Sequence, residues 1–275
     1  VQEQYEHNPY PRWVNLQLLP FPKTISTITK ELNLRISNLD IDKVDTPQIL
    51  IAGCGTGEHS IATASMFKNC NVLAIDLSLS SLAYAKRKTE ELGISNIEYM
   101  QADILDLEIL NRKFDIIECN GVLHHMDDPM AGWKVLTNCL KIGGLMKIGL
   151  YSELARSGVV KIRNEIEKSN IESSYNAMKS FRNKIIISEE EHHKWIAMVS
   201  DFYSMSTLRD LLFHVQEHRF TIPQIDASLT QLGLVFCGFE NKKVLYDLEK
   251  WDTFEKENPR TFATMYQFCL LYTSP

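Results

Sequence analysis

No stretch of this chain comes near the roughly 18–20 consecutive apolar residues that cross a bilayer, and its start has no basic segment leading into an apolar run. Neither a transmembrane helix nor a secretory leader is indicated, and a cytoplasmic location is the default expectation. A surplus of positive charge is also missing. Lysine and arginine number 29 against 35 acids, a formal charge of −6, so no long-range field draws the molecule onto phosphate backbones and nucleic acid is not an expected partner. The six cysteines, Cys54, Cys70, Cys119, Cys139, Cys237 and Cys269, form no C-x-x-C pair and read as reduced packing residues. There is no repeat and no low-complexity tract, so solenoid architectures have no support. What remains is a chain of 275 residues, 44% hydrophobic and 23% charged, enough for a substantial core. Its first residue is Val1 rather than methionine, which leaves open that it is a segment of a longer polypeptide.

Four regions are expected. Residues 1–45 form an amino-terminal arm, whose Asn8-Pro9-Tyr10-Pro11-Arg12-Trp13 is too proline-rich for a helix, followed by a helix over 24–39 that places Ile25, Ile28, Leu32 and Ile36 on one face. From 46 to 150, short apolar runs (49–52, 72–75, 97–100, 114–119, 145–151) alternate with amphipathic stretches (78–92, 133–140). That rhythm means βαβ units and a mainly parallel sheet. Residues 151–221 break it with helical patterns at 159–171 and 207–218 and read as an inserted lid. Residues 222–275 return to sheet-like sequence at 234–239 and 265–272, separated by a charged helical connection containing Trp251. The fold class is α/β, a doubly wound seven-stranded sheet with a helical insertion.

The most informative local pattern is Ile49-Leu50-Ile51-Ala52-Gly53-Cys54-Gly55-Thr56-Gly57, a buried strand running into glycines at every second position before a helical stretch. Such a turn accepts positive φ and lets a nucleoside approach the backbone, with free N–H groups at the helix start. A dinucleotide fingerprint needs G-x-G-x-x-G, and position 58 is Glu58, which disfavours a nicotinamide oxidoreductase. The next strand ends at Asp76, a carboxylate placed to accept from ribose hydroxyls. The third leads into Gln101-Ala102-Asp103-Ile104, where Asp103 can face an adenine amino group beside Ile104. The fourth runs from Phe114 to Asn120-Gly121-Val122-Leu123-His124-His125.

Taken together, the A-G-C-G-T-G loop, Asp76, the Q-A-D step, the F-D-I-I strand with its V-L-H-H continuation and Leu140-Lys141-Ile142-Gly143-Gly144 resemble, in order, the core of class I S-adenosylmethionine-dependent methyltransferases over residues 48–150. The resemblance implies that Gly53, Gly55 and Gly57 lie against the methionine part of S-adenosylmethionine, that Asp76 binds ribose and that Asp103 faces adenine. It also implies that Leu77 packs on adenine and that Asn120 holds the methionine end. Ala52 departs from the pattern, where an acid often precedes the first glycine. The outer regions, N-P-Y-P-R-W and the closing M-Y-Q-F, resemble bacterial methyltransferase domains joined to tetratricopeptide repeats. That likeness would place an adjoining repeat domain beyond these residues, which contain none.

Methyl transfer needs alignment and exclusion of water more than elaborate chemistry. A base helps where the acceptor arrives protonated, and His124, His125 and Tyr151 are the candidates nearest the methyl group, against a reading in which both histidines only shape the loop. The acceptor is expected to be a protein side chain or a small molecule; the alternative is a non-catalytic cofactor-binding subunit. The N/D-P-P-Y motif of amino-directed DNA enzymes is absent after the fourth strand, and Asn8-Pro9-Tyr10 imitates it in the wrong place. The insertion carries ten basic and ten acidic residues over 151–220 and offers no cationic groove. Within it, His214-Val215-Gln216-Glu217-His218 has the H-x-x-E-H order of an inverted zinc-protease helix, but without a third ligand no metal is expected. Arg209, His214, Glu217, His218 and Arg219 are read as pocket lining or a satisfied polar network, and His192 and His193 as a solvated helix start. Trp13, Tyr10 and Trp195 are read as candidate cofactor covers or core.

Overall fold

The computed structural model describes residues 2–18, 20–37, 40–262 and 265–273. Seven strands form one sheet: β1 (Gln48–Ala52), β2 (Asn71–Asp76), β3 (Ile97–Gln101), β4 (Phe114–Asn120), β5 (Leu140–Tyr151), β6 (Leu234–Phe239) and β7 (Met265–Tyr272). Their order is β3-β2-β1-β4-β5-β7-β6. β1 to β5 run parallel, and β7 is antiparallel to both β5 and β6. Ile49, Leu50, Ile51 and Ala52 have no exposed surface, as expected of a central strand covered on both faces. The chain crosses the sheet between β1 and β4, the reversal of strand order beyond whose carboxyl ends ligands bind in such folds.

Helices α3 (Glu58–Met66), α4 (Leu79–Glu91), α5 (Pro129–Cys139) and α10 (Ile222–Leu232) connect the strands, preceded in the chain by α1 (Gln2–His7) and α2 (Ile25–Glu31). Local sequence sets their ends. Ser78 and Asp128 accept from first-turn N–H groups of α4 and α5, and Thr221 with Gln224 makes a reciprocal capping box on α10. α11 (Leu248–Glu257) buries Trp251 among Phe239, Phe254 and Phe262, largely edge to face.

Two expectations about helices are corrected. α2 stops at Glu31 instead of continuing through 39: Asn33 takes φ 53° and Leu34 N–H returns to the Thr29 carbonyl, a left-handed exit that short polar side chains tolerate. Leu39 lies outside the described residues. In the insertion, α6 (Ser157–Lys168), α7 (Tyr175–Ile186), α8 (Glu191–Ile196) and α9 (Met205–Phe213) share their own core of Val159, Ile162, Phe181, Ile185, Phe202 and Leu208. α9 ends at Phe213 and His214 is extended, so residues 214–218 present no helical H-x-x-E-H face. Among the described residues no helix is long and apolar enough to cross a membrane.

Candidate active site

The carboxyl ends of β1, β2, β3 and β4 open into a cavity of about 860 Å³, in the range of small-molecule sites. Gly53, Gly55, Asp76, Leu77, Asp103, Ile104, Asn120, His125 and Tyr151 line it, whereas Gly57 and His124 do not. Asp76 is held by backbone: Oδ2 accepts from Gly55 N–H at 2.7 Å and Oδ1 from Ser78 N–H at 2.9 Å. Burial raises its pKa against the pull of those donors. Each oxygen keeps a lone pair for a further donor. Asp103 caps the 3₁₀ turn over 104–110, accepting from Leu105 N–H at 2.9 Å through Oδ1, which leaves Oδ2 for a ligand.

The glycine loop owes its composition to neighbouring protein as much as to any ligand. All three glycines have positive φ, and a Cβ on Gly53 would strike the Val122 side chain, on Gly55 the Tyr10 carbonyl, and on Gly57 the Ala85 Cβ. Gly121 differs. It has φ +75°, it lines the cavity, and a Cβ there would meet no protein atom within 4 Å. Open wall at Gly121, free acceptor capacity on Asp76 and Asp103 and the unpartnered buried Oδ1 of Asn120 fit a nucleoside with a hydrogen-bonding amino-acid tail, as S-adenosylmethionine has.

The arm closes one side. Thr56 N–H donates to Tyr10 O, Thr56 Oγ1 to Pro11 O at 2.5 Å and Trp13 Nε1 to Thr56 O at 3.2 Å. Ser78 Oγ donates to Tyr5 O and Ser80 Oγ to Glu6 O. Tyr10 lines the cavity; Trp13 is buried against the loop, and Trp195 packs on Gly158 within the insertion. From the arm, Tyr5 reaches the insertion: its Oη donates to Asp210 Oδ1 at 2.8 Å and sits 3.2 Å from His214 Nε2. Burial pushes Asp210 up to about 6, only partly offset by Tyr5, and pushes His214 down to about 4.

The two adjacent histidines have different surroundings. His124 is fully buried, stacks on Tyr151 at 3.7 Å, and its Nδ1 accepts from Tyr151 N–H. His125 Nδ1 lies 2.7 Å from the Gln216 carbonyl, which assigns the ring proton to Nδ1 and the lone pair to Nε2. Burial keeps both rings well below the ordinary histidine range, so both are neutral at pH 7. His125, Asp210 and His214 bring their ligand atoms within 4.8 Å of one another, yet His214 Nδ1 already accepts from Gln216 N–H. A metal on its Nε2 would then require an imidazolate, so a proton-sharing group of Tyr5, Asp210 and His214 is the better description. Beneath them, Arg156 lies 3.6 Å over the Tyr151 ring and is paired to Glu217 at 2.5 and 2.9 Å, with Arg163 and Arg219 alongside. His214, Glu217 and the partly exposed Arg219 thus belong to one polar network.

Tyr5, Arg156 and Asp210 are site residues that the sequence did not single out. They reach the cavity from remote segments, and no local spacing marks them.

Residues 49–144 match the methyltransferase domain family. That segment carries the glycine loop and the acid at the end of β2, and the seven-stranded fold is the one seen in solved methyltransferases, whose cofactor is S-adenosylmethionine. The chain is similar to an uncharacterised protein of Synechococcus, 28% identical over 204 residues, which make up 71% of this chain and 49% of that protein. It is also similar to a release factor glutamine methyltransferase of Flavobacterium psychrophilum, 40% identical over 106 residues, 38% of this chain and 35% of that enzyme. In three dimensions it is similar to PKMT2 from Rickettsia typhi, solved with AdoHcy, at TM-score 0.70 and 19% identity, covering 97% of this chain and 55% of that one. The chain spans about half the length, or less, of these relatives.

Proposed function

We propose that this chain transfers the methyl group of S-adenosylmethionine to an amine nitrogen of a protein side chain or small molecule. The observation that carries the reading is the composition of the cavity wall. Besides Asp76, Leu77, Asp103, Ile104 and the Gly53–Gly55 backbone, which suit a nucleoside, the wall carries Glu58, Asp127, Asp201 and Asp210 with Tyr5, Tyr10 and Tyr151. Arg156 is the cationic lysine- or arginine-type side chain lining it among the described residues, and Glu217 engages it. An anionic acceptor would meet unmatched carboxylates; a cationic amine is attracted by them and by the tyrosine faces.

When bound, the cofactor supplies a methyl carbon made electrophilic by its sulfonium leaving group. Asp76 and the β1 loop fix the nucleoside, so that the reacting atoms meet in line. The amine must present a lone pair. His125 Nε2 accepts the proton that leaves nitrogen, and the adjacent Asp210 carboxylate stabilises the resulting positive charge. His124 holds Tyr151 in place from behind. The likeness of the outer regions to domains joined to tetratricopeptide repeats, and a cytoplasmic setting, belong to the same reading.

Incubation of the protein with methyl-labelled S-adenosylmethionine and a fractionated extract tests it. Label is expected in amine nitrogen, recovered after acid hydrolysis as a methylated amine. Label released by mild alkali would indicate a carboxyl ester and defeat the amine assignment. Cofactor binding without transfer to any fraction would favour a non-catalytic subunit.

A further inference from the structure

The pair His192 and His193 is not a solvated helix start. His193 is buried, with 5% of its side chain exposed, and both rings reach across from the first turn of α8 to one carboxylate on α6. His192 Nε2 lies 2.5 Å from Glu165 Oε1 and His193 Nε2 lies 2.9 Å from Glu165 Oε2. The three ligand atoms fall within 4.8 Å of one another.

We propose that Glu165, His192 and His193 form a binding site for zinc or a similar borderline transition-metal ion, independent of the methyl-transfer reading. Two imidazoles and one carboxylate are a zinc-type donor set, and a fourth, tetrahedral position falls to water. The partly exposed Glu165 and His192, at 34% and 20%, leave that side open. His193 Nδ1 is 2.7 Å from Ser188 Oγ. A ring that donates there presents an unprotonated Nε2 to the ion, the outer-shell orientation usual for metal-bound histidine. This distinguishes the cluster from the His125–Asp210–His214 group, where the corresponding Nδ1 faces a backbone donor. In the metal-free form the Glu165 carboxylate faces both Nε2 atoms; a metal-bound neutral ring carries its one N–H at Nδ1, so the dication takes the Nε2 lone pairs and the carboxylate together. The ion joins α6 to α8, and α8 leads through 200–202 into the cavity wall at Asp201 and Asp210.

Chelator-treated full chain titrated with zinc chloride, by calorimetry and by thermal unfolding, tests the site. The expected result is saturable binding of one ion per chain and a higher Tm with zinc. Glu165→Gln and the milder His192→Asn each weaken affinity at least tenfold, while Asp210→Asn leaves it unchanged. Magnesium is expected not to compete. Absence of saturable binding to the unaltered chain overturns the proposal, as does unchanged affinity in both Glu165→Gln and His192→Asn, or loss of binding on Asp210→Asn.

Discussion

Asp76 accepts two backbone N–H groups and still offers lone pairs, so it shapes the glycine loop and the ribose subsite together. Hydrogen bonds to a charged group contribute about 1.5–3 kcal/mol each. Asp76→Ala is therefore expected to weaken S-adenosylmethionine binding by about tenfold to a hundredfold or more, measured by calorimetry; an unchanged Kd would remove Asp76 from the ribose subsite. The histidines separate by their partners. His125→Ala is expected to slow transfer strongly with cofactor affinity kept, whereas His124→Ala leaves Tyr151 N–H buried without an acceptor, at about 1–3 kcal/mol of stability, and lowers Tm first. Asp210 gives a pH signature. Its folded pKa, about 6, lies above the ordinary 3.8, so the folded state holds the proton more tightly. The cost of ionising it is absent below about pH 4, grows up to about pH 6 and is complete above that, reaching at most about 3 kcal/mol. Asp210→Asn should therefore gain stability relative to the parent between pH 4.5 and 7 in denaturant unfolding. Equal differences at both pH values would contradict this.

Strand β1 and its glycine turn were legible because everything that defines them is local: four apolar residues, alternating glycines, then an acid at the next strand end. The same locality made β2, β4 and the last two strands readable, whereas the antiparallel pairing of β7 with β5 and β6 is set by long-range register. Legibility failed where an element's end depends on what it meets. The 24–39 stretch keeps its apolar spacing, yet Asn33 turns the chain out; the 214–218 motif is not helical, with His214, Gln216 and Glu217 held by His125, Tyr5, Met126 and Arg156 from elsewhere. Tyr5 and Asp210, 205 positions apart, are one contact that no window of sequence contains. Arm and loop are coupled at Gly55, where a side chain would collide with the Tyr10 carbonyl and φ is +52°. Gly55→Ala is accordingly expected to lift the arm, seen as faster proteolytic cleavage near residues 8–16 and a weaker cofactor Kd. An arm that stays protected would show that the loop yields instead.

At the scale of the whole molecule, the cavity lies between three parts of the chain: the sheet rim, the arm and the insertion. A ligand at a hundred times its Kd stabilises such a fold by about 2.7 kcal/mol, or about 5–11 °C in Tm for a domain of this size. Removing residues 2–14 is expected to abolish most of that gain while the sheet still unfolds cooperatively. A full ligand-induced shift in the shortened chain would show that the arm takes no part. The same architecture bears on biosynthesis. β7 lies between β5 and β6, so while the ribosome is still upstream of residue 265 the β5 margin stays open and β6 has no neighbour to dock on. A nascent chain stalled there would present two unpaired strand margins at once, making β7 the step that hides both from chaperones and from other copies.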